Sequence, residues 1–226
     1  MNKYLLSIIV ILLASVSSIA QSSSEIRNMY KNAIKLYVEQ KDTLKAIQEL
    51  EKVAQLKPRY KDAIFDLGAM YLQTGNTEKA MDLFQTGVRI GDRKAADLLK
   101  NELKQKIRFY DTMSVEDVDE KPYVLVNSKK EEILVNKELN KVIHKPLLAG
   151  IRNSEILKKE MQSKNMLIAV LYITKTGEMD AKILLSNNPL VHDEMKKIAK
   201  SVGRFSPGKY EGKEVVTYGW TLPIRK

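Results

Sequence analysis

Leu167-Ile168-Ala169-Val170-Leu171-Tyr172-Ile173 is the stretch that decides the fold of the C-terminal half, and Thr174-Lys175-Thr176-Gly177-Glu178 follows it. An almost wholly apolar run of this length predicts a β-strand that is covered on both faces. Gly177 can supply the positive φ that a tight hairpin turn needs. We therefore expect the chain to return as a second strand over residues 181–185.

A helix is expected after this hairpin, because Asn188-Pro189 combines a good N-cap with proline at the first helical position. An apolar stripe at helical spacing follows, made of Val191, Met195, Ile198, Ala199 and Val202. Gly203 is expected to end the helix. Residues 215–222 are rich in β-branched and aromatic side chains and predict a closing strand.

This order of elements, with Phe205-Ser206-Pro207-Gly208 before the last strand, resembles the C-terminal domain of the TonB family over residues 164–224. Residues 118–122 and 139–146 resemble the lead-in of Bacteroidetes members, which extends the expected domain to 122–226. The Tyr-Pro pair of that lead-in is absent, and Lys145-Pro146 stands in its place. The resemblance implies an α+β domain with a small antiparallel sheet, built from a hairpin, a helix and a closing strand.

The resemblance also implies a mode of binding, in which an extended segment of an outer-membrane receptor pairs with the edge of the last strand. The residues expected to form this partner strand are Val215, Val216, Thr217, Tyr218, Gly219, Trp220 and Thr221. Strict alternation places Tyr218 and Trp220 on one face and Val215, Thr217 and Gly219 on the other. Trp220 is then either a core aromatic or a partner contact.

The N-terminal half follows a 34-residue register over residues 27–94, and its second copy resembles the tetratricopeptide repeat closely. The positions that carry the resemblance are Leu67, Gly68, Tyr71, Ala80 and Phe84, with Ala33, Tyr37, Ala46 and Leu50 in the first copy. Residues 95–110 predict a helix that caps the open end of the array. The expected all-α domain is 25–110.

Tetratricopeptide arrays bind peptides along the face formed by the first helix of each pair. The candidate peptide groove on that face comprises Lys31, Lys35, Phe65, Ala69 and Leu72, with Asn28, Val38 and Asp62 beside them. Lys31 and Lys35 lie one helical turn apart. They either receive a carboxylate or an acidic peptide, or are ordinary solvated lysines.

Residues 111–121 are acidic and lack periodicity, and they predict a linker. Beyond them, residues 123–126 and 132–135 predict a small hairpin, and residues 136–149 and 154–161 predict helices. This zone is either an extra layer of the C-terminal domain or a loosely ordered tether.

Residues 1–20 have the pattern of a cleaved signal peptide, with Lys3, an apolar run and Ser18-Ile19-Ala20 before Gln21. The expected location is the periplasm, and the alternative is an inner-membrane anchor that faces the periplasm. The chain has no cysteine, so disulfides do not contribute to it.

A net charge of +10 is spread along the chain without an Arg-rich helix, which argues against a nucleic-acid partner. His144 and His192 have no carboxylate or cysteine at ligand spacing, and no nucleophile or phosphate-binding motif occurs. The acidic residues at 116–120 lack the glycine and closing glutamate of a calcium loop. We expect no cofactor, no metal and no enzymatic activity.

The sequence thus predicts an α+β protein of two domains, exported and acting as a protein-binding adaptor for an outer-membrane receptor or another envelope component. In that case it touches a membrane only through its partners. Three alternatives stay open: a membrane-anchored energy transducer of the TonB type, a tetratricopeptide scaffold or chaperone for envelope assembly, and a structural homodimer.

Overall fold

A computed structural model of the chain describes residues 22–135, 138–164 and 166–225. The chain divides into two compact units between Leu103 and Lys104. The first unit is all-α and the second combines helices with a sheet, which confirms the α+β class. The signal segment expected at residues 1–20 lies outside the described residues. Within the described part, no helix has both the length and the apolar character that a membrane crossing requires.

The first unit consists of helical hairpins. Its helices are α1 (Ser23–Val38), α2 (Thr43–Leu56), α3 (Lys61–Gln73), α4 (Thr77–Arg89) and α5 (Arg93–Asp97), which continues as a π-helical turn over Leu98–Glu102. The second helices of the two pairs begin at Thr43 and Thr77, 34 residues apart, as the predicted register requires. Asp42 and Asn76 cap them by accepting the backbone N–H groups of Lys45 and Lys79.

The repeat positions pack as the sequence predicts. Ala46, Leu50, Ala80 and Phe84 are fully buried. A Cβ atom on Gly68 would lie 2.8 Å from Cε1 of Phe84, so glycine is what lets α3 approach this ring closely. The expected capping helix over 95–110 is shorter than predicted. It ends at Glu102, because Lys104 adopts a φ of +52° in the left-handed region, and residues 104–110 belong to the second unit.

The second unit is built on a five-stranded sheet. Its strands are β1 (Thr112–Ser114), β6 (Met166–Ile173), β7 (Met179–Ile183), β8 (Gly208–Tyr210) and β9 (Lys213–Arg225). They follow the path β1-β9-β6-β7, and β8 pairs with one end of β9. The sheet is mixed rather than purely antiparallel as predicted, because β1 runs parallel to β9.

The predicted hairpin of β6 and β7 is present, with Gly177 at φ +74° in its turn. A Cβ atom on Gly177 would lie 2.0 Å from the backbone oxygen of Phe205. The second strand begins and ends earlier than predicted, at Met179 and Ile183, and Leu184 is exposed beyond it. The expectation that β6 is covered on both faces is also corrected, since alternate residues are buried and half-buried.

The linker expected at 111–121 is wrong, because this segment belongs to the sheet. It contains β1, and Glu120 forms an antiparallel bridge with Lys209 of β8. The next hairpin joins β2 (Tyr123–Val126) to β3 (Lys129–Glu132) rather than to residues 132–135. Asn127 and Ser128 both have positive φ, which makes a two-residue turn and sets this register.

A second short hairpin joins β4 (Leu134–Val135) to β5 (Glu138–Leu139). The sequence predicts the two apolar residues of β4 in the first hairpin instead. Helix α6 (Lys141–Asn153) follows, and begins later than predicted because Asn140 is its N-cap. Helix α8 (Pro189–Lys200) starts at its expected cap, Asn188, and α7 (Glu155–Ser163) starts one residue after the predicted 154, because Ser154 is its N-cap. Residues 111–163 therefore form an additional layer on the sheet domain where they are described.

The core of this unit lies between one face of the sheet and the three helices. It joins Leu147 of α6, Leu157 of α7 and Met195 of α8 to Leu171 and Leu222 of the sheet. A Cβ atom on Gly150 of α6 would lie 2.6 Å from Cγ2 of Ile198, so α6 and α8 are in close contact. Burial of one sheet face by helices leaves the other face and the sheet edges as candidate binding surfaces.

Candidate functional site

The last strand does not lie at the edge of the sheet along its predicted length. Val215 pairs with Gly208 of β8, and Val216, Thr217 and Tyr218 pair with β1, while β6 pairs with the opposite side of β9 from Thr217 onwards. The prediction of a free partner strand over residues 215–221 is therefore corrected for its first four residues. The strand that pairs with residues 216–218, β1, lies in the segment that the sequence predicts as a linker.

The remaining part of β9 has one unpaired side. Leu184 donates its N–H to Ile168 O at 2.9 Å, so the backbone groups of Ile168 face β7. Because these groups alternate along a strand, those of Ala169 face β9 and meet Leu222. The neighbours of Leu222 in β9 must then direct their backbone groups away from β6. No described strand pairs with β9 on that side beyond Tyr218.

The free side offers few hydrogen-bonding groups. Thr221 presents both its N–H and its C=O there, whereas Pro223 presents only a carbonyl. Both residues are exposed. A proline at such a position limits pairing with another strand. This short free edge is the part of the predicted site that stays accessible.

A groove of about 340 Å³ runs beside this free edge. The hairpin of β4 and β5 and helix α6 supply its other wall. The lining residues are Leu134, Glu138, Leu139, His144, Gly219, Trp220, Thr221, Leu222 and Pro223. The groove thus combines unpaired backbone with apolar side chains and one carboxylate, which suits an extended peptide.

A bulge at Gly219 changes which residues share a face. The register with β6 shifts between Leu171 and Tyr172, and Gly219 has a φ of +143°. The extra residue puts Trp220 on the same buried face as Thr217, and Tyr218 on the opposite face beside Tyr172. The predicted pairing of Tyr218 with Trp220 on one face is therefore wrong.

Trp220 is 2 % exposed and belongs to the core, which decides between the two roles left open for it. Its indole N–H has no hydrogen-bond partner among the described residues. The ring also borders a cavity of about 30 Å³, lined by Val115, Glu116, Lys121, Pro122, Glu132, Ile133 and Leu134.

The opposite edge of the sheet, β7, is protected in another way. Backbone N–H and C=O groups alternate in direction along the paired strands β6 and β7. Because those of Ile168 face β7, the N–H of Ala181 points away from β6, to the outside of the sheet. Asp180 accepts this N–H with its own Oδ1 at 2.7 Å. An incoming strand would have to displace a charge-assisted hydrogen bond there. The edge of β9 is therefore the better candidate for strand pairing.

In the first unit, a groove of about 260 Å³ separates α1 from α3. Its lining residues are Ile34, Tyr37, Val38, Asp66, Ala69, Met70 and Gln73. Two hydrogen bonds join the helices: Tyr30 donates to Asp66 Oδ2 and Tyr37 donates to Gln73 Oε1, both at 2.7 Å. These bonds fix the width of the groove.

Of the five predicted groove residues, only Ala69 lines this surface. Lys35 lies on the side of α1 that faces α2, 3.6 Å from the carboxylate of Glu39. Phe65 packs against Phe84, with ring centroids 5.7 Å apart. Lys31 is exposed and Leu72 is half-buried outside the groove.

The groove between α1 and α3 is therefore not a lysine site for acidic peptides. Its one ionisable carboxyl is Asp66. Burial raises the pKa of Asp66 above its ordinary value, and the hydrogen bond from Tyr30 opposes this shift. Apart from this group the lining is mostly apolar, so it favours an apolar segment.

One polar cluster in the second unit resembles a catalytic arrangement in composition but not in geometry. Ser186 donates its hydroxyl to Glu160 Oε1 at 2.6 Å, whereas His192 Nε2 bonds to the backbone oxygen of Ser186 at 2.8 Å. The histidine does not meet the hydroxyl, so these bonds fasten the loop before α8. Throughout the part of the chain that the structure describes, no group of three His, Asp or Glu side chains is placed to hold a metal ion.

The comparison with protein families supports the N-terminal assignment. A model of the tetratricopeptide repeat matches residues 37–103, and no family model matches the second unit. No curated protein matches the chain. The first unit therefore carries tetratricopeptide repeats, which generally mediate protein–protein interactions.

Proposed function

We propose that the protein is an exported adaptor that binds an envelope protein through the edge of β9, in the manner of TonB C-terminal domains. The partner is an extended segment of an outer-membrane receptor or of another envelope component. The observation that carries this proposal is the unpaired backbone of β9 beyond Tyr218, beside a groove with apolar walls. The resemblance of residues 164–224 to the TonB family gives the kind of partner.

Substitutions at Thr221 test this mode without disturbing the rest of the sheet. Thr221→Pro removes an N–H group that faces away from β6, whereas Thr221→Val keeps it and removes only the hydroxyl. The chain from residue 21 onwards, immobilised in all three forms, would be exposed to solubilised envelope proteins. We expect a receptor to be captured by the wild type and by Thr221→Val, and to be lost with Thr221→Pro.

Circular dichroism and the fluorescence of Trp220 must first show that both variants are folded. Capture of the same proteins by all three forms would refute pairing at this edge. Mass spectrometry of the native protein tests the proposed export separately. A chain that starts at Gln21 in the periplasmic fraction supports it, whereas an intact N-terminus in the inner membrane favours the energy transducer.

The second candidate function is a tetratricopeptide scaffold for envelope assembly, and the groove between α1 and α3 favours it. Ala69 is exposed at the floor of this groove. Ala69→Trp fills the groove without changing a buried residue, and Gln105→Trp is a control on an exposed position of the other unit. A partner lost only with Ala69→Trp binds the repeats and not the sheet.

A further inference from the structure

We infer that β1 is an internal strand that occupies the partner site on β9, and that an external segment of similar chemistry binds after β1 leaves. This inference rests on the proposed function, because it concerns the same edge. On the free part of β9, the groove adjoins one complete backbone pair, that of Thr221, while Pro223 offers only a carbonyl. The adjoining groups of Val216 and Tyr218, which an extended partner would also use, are taken by β1.

The topology makes β1 the strand that can leave with least disturbance. It has three residues and forms the only parallel pairing among the described strands, and short parallel pairings are less stable per residue than antiparallel ones. No hairpin turn connects β1 to its pairing partner β9, which lies about one hundred residues later in the chain. When β1 leaves, β9 keeps its pairing with β6 from Thr217 to Arg225.

The backbone contacts of β1 can be reproduced by another peptide: they are a three-residue ladder with β9 and one hydrogen bond from the residue at each end. Val216 donates its N–H to Asp111 O at 2.8 Å, and Val115 donates its N–H to Tyr218 O at 2.7 Å. Lys175 lies 2.5 Å from the carboxylate of Asp111, and both side chains are substantially exposed. Such an exposed ion pair contributes little stability.

Two buried side chains complete the attachment. Met113 is 3 % exposed and Val115 is 6 % exposed. A Cβ atom on Gly219 would lie 2.8 Å from Cγ1 of Val115, so the bulge glycine makes room for this valine. The site therefore fits an extended segment that runs parallel to β9, with apolar side chains two positions apart and a carboxylate two residues before the first.

An external strand has one advantage over β1. The chain turns away directly after β1, where Asp117 donates its N–H to Ser114 O at 3.0 Å. An external segment has no such turn. It can continue past Gly219 along the groove and meet the free backbone of Thr221, so it gains contacts that β1 does not make.

The test uses the full chain and a labelled synthetic peptide of residues 109–119. Met113→Asp places a charge at a buried position of β1 and should release it, while Thr112→Asp makes the same change at an exposed neighbour. We expect the peptide to bind Met113→Asp at least about tenfold more tightly than the wild type, and Thr112→Asp like the wild type. Equal binding by a folded Met113→Asp variant and the wild type would overturn the inference.

Amide hydrogen exchange of the wild type gives a second test that needs no variant. The N–H of Val216 is bonded to Asp111 O, just before β1, whereas the N–H of Leu222 faces β6. If β1 opens while the sheet persists, the amide of Val216 exchanges at least about tenfold faster than that of Leu222. Equal rates for the two amides would also refute the inference.

The outcomes separate this inference from the proposed function. Binding of the 109–119 peptide to Met113→Asp, with no binding of any receptor segment, supports the internal strand and contradicts the receptor partner. A receptor segment that binds the wild type and Met113→Asp with equal affinity supports the adaptor and overturns the displacement of β1.

Discussion

Replacing Gly177 by alanine should destabilise the second unit far more than the same change at Gly212. The two glycines have nearly equal φ angles, +74° and +73°. A left-handed alanine costs about 1–2 kcal/mol at either position. Around Gly212, apart from the glycine and its two chain neighbours, no heavy atom of the described residues lies within 4 Å of the added Cβ, whereas at Gly177 the backbone oxygen of Phe205 would lie 2.0 Å away.

The extra cost at Gly177 can be estimated from what must move. Phe205 donates its N–H to Gly177 O at 2.8 Å, so separating the two backbones breaks this bond, which is worth about 1 kcal/mol. Phe205 is 7 % exposed and belongs to the core. Shifting its ring outwards adds a fraction of the ~3–5 kcal/mol that removing a buried phenylalanine costs. We therefore expect Gly177→Ala to lose about 2 kcal/mol more than Gly212→Ala.

Urea unfolding of the full chain measures this difference, because the only tryptophan, Trp220, lies in the second unit and reports on it alone. With a slope of about 1.5 kcal/mol per molar urea, 2 kcal/mol lowers the midpoint by about 1.3 M. Equal midpoints for the two variants would refute the close-approach argument. The helical signal of the first unit should be unchanged in both.

Three further changes test other parts of the structure. Gly68→Ala should overpack the contact of α3 with the buried phenylalanine ring of α4 and cost about 1–3 kcal/mol in a melt followed by circular dichroism; an unchanged melt would mean that the repeat packing is wrong. Asp66→Asn should increase the free energy of unfolding at pH 7, because a carboxylate whose pKa is raised by folding destabilises the fold when it is charged. The asparagine still offers Tyr30 an acceptor. The increase should vanish below about pH 4, where Asp66 of the wild type is protonated in both the folded and the unfolded state. Glu160→Gln should have the opposite effect and lower the free energy of unfolding at neutral pH. The hydroxyl of Ser186 lowers the pKa of Glu160, so this group stabilises the fold at neutral pH and loses that contribution as the pH falls through the lowered value; a variant with the wild-type pH profile would contradict this.

The sequence predicted best where local chemistry alone sets the structure. Asn188 marks a helix start because a capping side chain satisfies the first backbone N–H groups, whatever the rest of the chain does. Gly68 and Ala80 identify the repeat because close helix contact excludes larger side chains. These features depend on neighbours within one or two elements, which periodicity reveals.

The sequence failed where structure depends on distant pairing. Residues 112–115 alternate polar and apolar side chains, a signal for a strand, but four residues are too few to predict one. Their strand exists because β9 offers an edge about one hundred positions later in the chain. The bulge at Gly219 also defeats a prediction from local sequence. One inserted residue moves every residue after it to the opposite face of the strand, and this is why the predicted face of Trp220 is wrong.

The two edges of the sheet are protected against pairing with a further strand in different ways, and only one of the two protections can be exchanged. At β7 the N–H of Ala181 is held by the adjacent side chain of Asp180, so its protection is local and recovers immediately after any opening. At β9 the protection is a separate segment, β1, together with a proline that leaves part of the edge unpaired. A segment can be exchanged for another segment, whereas a side chain bonded beside its own residue cannot. This difference is why we place the partner on β9 and not on β7, even though β7 is the edge that the topology leaves open.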